Sequence, residues 1–170
     1  MDEIIIEENK GKLKELIRIG ILILLVEIFL VGVGVKKGIM LPIIIGVIGL
    51  LFFGTCFVFM VNRLRKPAPL LVVGEDGIID RSTMTSVGFI PWRQIKLIKI
   101  YKSFNQEFIG IDLYSLKELE KGISMAKRLA IKINIVFKYP PIGISLNTAN
   151  VECKEVVSLI EKRLGKSILQ

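Results

Sequence analysis

Two apolar runs separated by three residues limit what this chain can become. Ile19 to Val35 contains one charge, Glu27, and is bracketed by Arg18 and Lys36; Ile39 to Val61 contains none across 23 residues. At ~1.5 Å per residue the first run reaches about 26 Å, slightly short of a ~30 Å hydrocarbon core. Snorkelling of Arg18 and Lys36 covers the shortfall. The second run spans the core with some tilt. Only Lys36-Lys37-Gly38 lies between them, so the expectation is a tight transmembrane helical hairpin (19–35 and 39–61). An N-terminal segment (1–18) precedes it. A basic, proline-containing linker (62–69) and a soluble domain (70–170) follow.

The acidic flank Met1-Asp2-Glu3 and the second span that follows at once argue against a cleaved signal peptide. Lys10, Lys12, Lys14 and Arg18 precede the first span, and Arg63, Arg65 and Lys66 follow the second. These outvote Lys36 and Lys37 in the turn, which places both termini in the cytoplasm and makes the chain a multi-pass protein of the cell membrane. The net charge of +8 also suits an anionic inner leaflet.

Composition excludes much chemistry. The chain has no histidine, so the commonest general base, proton shuttle and metal ligand are missing. Cys56 and Cys153 form no CxxC pair and read as small buried hydrophobes in a reducing compartment. The expectation is a non-enzyme with no cofactor and no metal.

Glu27 sits at the middle of the first span, where an acid costs roughly 3 kcal/mol on insertion scales. The 13 Ile, Leu, Val and Phe residues of the run more than offset it. Gly20, Glu27 and Gly34 recur every seven residues and share one helix face; Gly46, Gly49 and Cys56 share a face of the second helix. Small residues permit close approach of membrane helices, so these faces are expected to meet, with Thr55 as the polar partner of Glu27. The leading expectation for Glu27 is a hydrogen bond between helices or between protomers of a homo-oligomer. A proton or ion pathway and contact with a membrane partner are the other readings.

Past the Pro67-Ala68-Pro69 linker the period changes. Leu70–Val73 and Ile78–Asp80 read as strands around a turn at Glu75-Asp76-Gly77. Val87–Ile90, Ile95–Tyr101 and Phe108–Tyr114 read as further strands, with a register shift near Leu97-Ile98 suggesting a bulge. From Ser115 to Ala130 the spacing of Leu116, Leu119, Ile123, Ala126 and Leu129 predicts a helix, with Ser115 and Glu118 as a capping box. Residues 131–137 fit helix or strand. Ile142–Leu146 is a short strand. Asn150 is placed to cap a last helix, Val151–Leu164, with Val156, Val157, Ile160 and Leu164 as its buried stripe and Gly165 as its stop. The expected class is a membrane helical hairpin plus an α+β domain whose antiparallel sheet is covered by the C-terminal helix.

Lys66-Pro67, then Glu75-Asp76-Gly77-Ile78, then Gly88-Phe89-Ile90-Pro91-Trp92-Arg93-Gln94-Ile95 resembles bacterial membrane-anchored proteins with a pleckstrin-homology-like domain, in particular two-span proteins of Gram-positive bacteria. The resemblance implies an antiparallel sheet or partly open barrel closed by a C-terminal helix. The helix at 115–130 departs from the minimal form of that fold. The resemblance carries no phosphoinositide motif over to this chain, and Trp92 is expected as an anchor in the core or at a strand end.

Two functional expectations follow. The first is a membrane-anchored binding or scaffolding module for a protein or peptide, for instance by strand addition; a part in envelope stress or bacteriocin self-protection is one version the resemblance suggests. The second is sensing of anionic lipid at the inner leaflet. Residues 67–170 carry 15 Lys/Arg against 10 Asp/Glu, and Arg93, Lys96, Lys99 and Lys102 gather on one strand, with Arg63, Arg65 and Lys66 near the bilayer. No RNA-binding signature or recognition-helix pattern is present, so nucleic acid is not an expected partner.

Overall fold

The computed structural model describes residues 3–164, the side chains of Glu120, Arg163 and Leu164 apart. The proposed roles of Leu164 in a buried stripe and of Gly165 as a stop lie outside the described residues. The chain divides into two compact units, Asn9–Pro67 and the remainder.

The first unit is a helical hairpin, α1 (Lys10–Lys37) and α2 (Met40–Arg65), and each helix is long and apolar enough to cross a bilayer. α1 starts well before the apolar run because Asn9 caps it: its side-chain oxygen accepts from the amides of Gly11 (2.7 Å) and Lys12 (3.1 Å). α1 stops at Gly38, which takes φ 66°. The Gly38 amide donates to the Val35 carbonyl at 3.3 Å and the Ile39 amide to that of Gly34 at 2.9 Å. This left-handed closure satisfies the last carbonyls and favours glycine. Pro42 stands in the first turn of α2, where its missing N–H costs nothing, and the helix ends just before Pro67.

The second unit is α+β with two antiparallel sheets that do not close into a barrel. The first sheet has the order β1 (Ile4–Ile6), β2 (Leu71–Val73), β3 (Gly77–Asp80), β4 (Gly88–Pro91). β1 was not expected: it comes from the segment ahead of the hairpin and pairs Ile4 with Val73 and Ile6 with Leu71. The two long apolar helices are thus an insertion between two neighbouring, hydrogen-bonded strands. The second sheet has the order β5 (Ile95–Ser103), β6 (Gln106–Leu113), β7 (Ile142–Ser145). Its register shift falls between Ile95 and Leu97, slightly ahead of the expected place. A 3-10 turn, Trp92–Gln94, joins the sheets.

The helix expected over 115–130 is two helices, α3 (Leu116–Lys121) and α4 (Met125–Val136). Gly122 ends the first, and Ser124 stands in extended backbone at the start of the second without a side-chain cap bond. Ser115 stands at the start of α3 without a side-chain cap bond. Residues 131–136 are helix, so the open alternative at 131–137 resolves that way. The last helix, α5 (Cys153–Leu164), begins later than expected; the Val156 amide donates to the Glu152 carbonyl, leaving Asn150 outside it.

The core joins the inner faces of both sheets to α5. Leu70, Leu71, Val73, Ile78, Ile90, Ile98, Ile109, Ile111 and Ile144 are fully buried, as are Val156, Val157 and Ile160 of α5. Burying a side chain of this size stabilises by about 1.5–3 kcal/mol before entropy is counted.

Candidate functional site

Within the hairpin the two small-residue faces meet. A Cβ on Gly34 would stand 3.0 Å from the Ile43 amide, one on Gly46 2.9 Å from the Glu27 carbonyl, and one on Gly20 3.3 Å from the Phe57 ring. Gly49 forms the notch for the Glu27 carboxyl, whose carbon and both oxygens occupy the space a Cβ would take. Thr55 is not that partner; its hydroxyl donates to the Leu51 carbonyl of its own helix at 2.7 Å. The reason is register. Glu27 lies eleven residues before Gly38 and Gly49 eleven after it, so a regular hairpin turning at Gly38 sets them at one depth and leaves Thr55 more than a turn away. Glu27 Oε2 is buried without a hydrogen-bond partner among the described residues.

The basic strand is less concentrated than its sequence. Lys99 bonds Asp112 at 2.8 Å and Lys102 bonds Glu107 at 3.4 Å. Strand alternation points these two lysines to opposite faces of β5. Lys96 is exposed at the bulge, and Arg93 is exposed on the 3-10 turn. Arg63 and Arg65 lie in the last turn of α2, where cations complement the helix dipole, and Lys66 caps it.

The α+β unit has an open groove of about 950 Å³ beside Trp92. Val87, Phe89 and Pro91 follow the alternation of edge strand β4 along it, and Leu119 and Ile123 face it from α3 and the turn beyond. Trp92 is held at both ends: its amide donates to the Asp76 carbonyl (3.0 Å) and its indole N–H to that of Gly74 (3.2 Å). The Gln94 amide nitrogen donates to Glu118 at 3.2 Å, tying the 3-10 turn to α3. A carboxylate only accepts, so that bond turns Gln94 Oε1 away, buried and without a partner among the described residues. Three carboxylates, Glu75, Asp76 and Glu118, line the groove against one cation, Arg93. On a chain of net charge +8 this is a local reversal of sign. The sequence expected Trp92 to be an anchor. What it did not reveal is the acidic rim, because Glu118 is brought in from a separate helix.

Asp80 was also not singled out. It is buried at the end of β3, where its carboxylate accepts from the Ser82 amide at 2.9 Å. The Ser82 hydroxyl in turn accepts from the Ser145 amide at 3.1 Å, fastening the 81–86 loop to β7. These are structural ties. Among the described residues no three His, Cys, Asp or Glu side chains gather where they could hold a metal ion.

Burial, with Glu107 and Glu152 adding to it, pushes the Cys153 thiol up to about 11. Because the folded value is raised, the stability from keeping this thiol neutral is present below the unfolded thiol's range, near 8.5, and is lost as pH climbs through about 11. Since thiolate is the reactive species, Cys153 is expected to resist iodoacetamide at pH 8 in the folded chain and to be alkylated fully in denaturant. Peptide mapping by mass spectrometry reads the difference; equal labelling in both states would show that the thiol is not enclosed.

No family model, curated protein or solved structure matches the chain.

Proposed function

We propose that this protein is a membrane-anchored binding module, held by α1 and α2, whose soluble unit recognises a peptide segment of a protein partner in the groove beside Trp92. The observation that carries the reading is the pairing of apolar walls with a carboxylate rim. That combination suits an apolar residue flanked by Lys or Arg. Strand addition is the weaker mode here, because β4 is short and carries Pro91 and a Gly88 at φ 90°. Membrane anchoring is supported by the length and composition of the two helices. That both ends of the hairpin lie on one side is supported by the pairing of β1 with β2, and the cytoplasmic side by the lysine and arginine distribution. Kinship with pleckstrin-homology-like membrane proteins belongs to the same proposal; it is supported by the order of antiparallel strands followed by a packing C-terminal helix.

Trp92 is the only tryptophan, so its emission reports on the groove directly. A photoreactive residue in place of Phe89 is expected to capture one recurring protein in cells. The captured segment, made as a peptide, is expected to shift the emission of Trp92 in the full chain, and Glu118→Lys is expected to abolish the shift. Capture at the level given by the same photoreactive residue at exposed Lys154 would sink the proposal.

A further inference from the structure

The break at Gly122-Ser124 has a consequence on the surface. α4 is held to the fold by Ile131, which is buried, and by the Asn134 amide donating to the Pro141 carbonyl at 3.2 Å. Its opposite side carries Met125, Leu129, Ile133 and Val136, exposed at 85, 57, 47 and 77%. At 100° per residue these four occupy less than a third of the helix circumference. Phe137 continues the patch at 67% exposure. The patch extends across to the β5–β6 hairpin, because Tyr101, Phe104, Phe108, Ile133, Phe137 and Tyr139 line one cavity of about 340 Å³.

Phe104 is the second observation. It and Asn105 form the two-residue tip of that hairpin at φ 47° and 61°, a type I′ turn that prefers Asn-Gly. A bulky residue in the left-handed region is strained, and Phe104 is 98% exposed, so burial of its ring within the fold does not offset that strain. Strain of this kind points to a contact outside the fold.

Charge identifies the contact. From Lys121 to Val151 the chain has five cations, Lys121, Lys127, Arg128, Lys132 and Lys138, and no Asp or Glu. Arg128 and Lys132 run beside the apolar stripe. An apolar helix face with a cationic border is the chemistry of a helix lying in the interface of an anionic bilayer. Lys66 to Leu70, five residues, connect α2 to β2, a tether of at most roughly 18 Å. We propose that the outward face of α4, with Phe104 and Phe137, enters the headgroup region of an anionic bilayer. This rests on the anchored-module reading above, since the bilayer concerned is the one that α1 and α2 span.

The test uses the full chain in vesicles of phosphatidylcholine alone or mixed equally with phosphatidylglycerol. The probe is the emission that F104W adds to that of the parent chain. In the anionic vesicles it is expected to be quenched by brominated lipid tails and shielded from aqueous iodide. L129E/I133E, both at exposed sites, is expected to reverse both effects, and molar salt to remove about half or more of the quenching. Since Asn suits the turn, F104N is expected to fold at least as well as the parent while a cysteine introduced by Leu129→Cys loses its protection from a water-soluble maleimide, located by peptide mapping, which separates loss of contact from loss of fold. Emission open to iodide and untouched by brominated lipid overturns the proposal. So does quenching that is equal in pure phosphatidylcholine, and so does shielding that follows chain density rather than lipid, which marks a second copy as the occupant. Resistance to alkaline extraction reads the anchor separately: a chain that washes off in alkali but is quenched by brominated lipid refutes the anchor and not the face.

Discussion

Ile6→Asp is expected to destabilise the α+β unit by about 3–4 kcal/mol, whereas Ile5→Asp, one residue away, is expected to change it by about 0.5 kcal/mol or less. The contrast comes from strand alternation. Ile6 is 6% exposed and packs in the core, while Ile5 is 53% exposed on the other face of β1. An aspartate at position 6 would put a carboxylate against Leu70 and Leu71 with no cation in the cluster. It would also loosen the bond from the Leu70 amide to the Ile6 carbonyl, 2.8 Å in the native chain. Urea unfolding of the full chain in detergent, followed by the emission of Trp92, measures both variants. Equal midpoints would mean that the N-terminal segment is not part of the sheet.

Gly77→Val should be at least as costly as most core changes, about 3 kcal/mol, because it sets backbone against backbone. β3 and β4 pair Gly77 with Pro91. A Cβ on Gly77 would overlap the Ile90 carbonyl oxygen and come within 2.8 Å of the Pro91 Cα. Neither atom belongs to a side chain that can rotate away, so the strands must part. Opening there also disturbs Trp92, whose amide and indole are both held by the β2–β3 turn, and a red shift of its emission should accompany the loss of stability. Gly74→Ala is the control, since its Cβ would find ordinary contact at 3.6 Å. If Gly77→Val and Gly74→Ala unfold at the same urea concentration, the close approach of β3 to β4 is not as described.

What the sequence made legible was whatever a local period encodes. The two long helices are apolar over lengths sufficient to cross a bilayer. The stripe Val156, Val157 and Ile160 of α5 and the alternation along β6 declared their faces directly. The β5–β6 bulge was visible as a slip in alternation. Four features were not legible, each for a physical reason. Ile4–Ile6 is too short to show a period, and its partner β2 lies some 65 residues on. The break between α3 and α4 rests on Gly122 and Ser124, ordinary residues within a pattern that stays in phase across them. That phase suggested one continuous stripe, but the second helix meets the core through Ile131 and turns Leu129 outward. The neighbour of Glu27 depends on where the hairpin turns, and the turn at Gly38 decides which residue of α2 stands at its depth. The groove suffered most, since its walls come from β4, the 3-10 turn and α3, and no window of sequence contains them together.

The pairing of β1 with β2 also sets an order of events. During synthesis Ile4–Ile6 leaves the ribosome before β2 and cannot make this pairing until residues beyond Leu71 appear. Closing so long a loop in free chain carries an entropic cost that grows with its length, and contacts of such high sequence separation form slowly. A hairpin of two helices, once formed, reduces that loop to its two short ends. The final sheet is then a clasp whose closure costs least once α1 and α2 have found each other, and a chain whose helices fail to pair faces the full cost of covering the strand edge at β2.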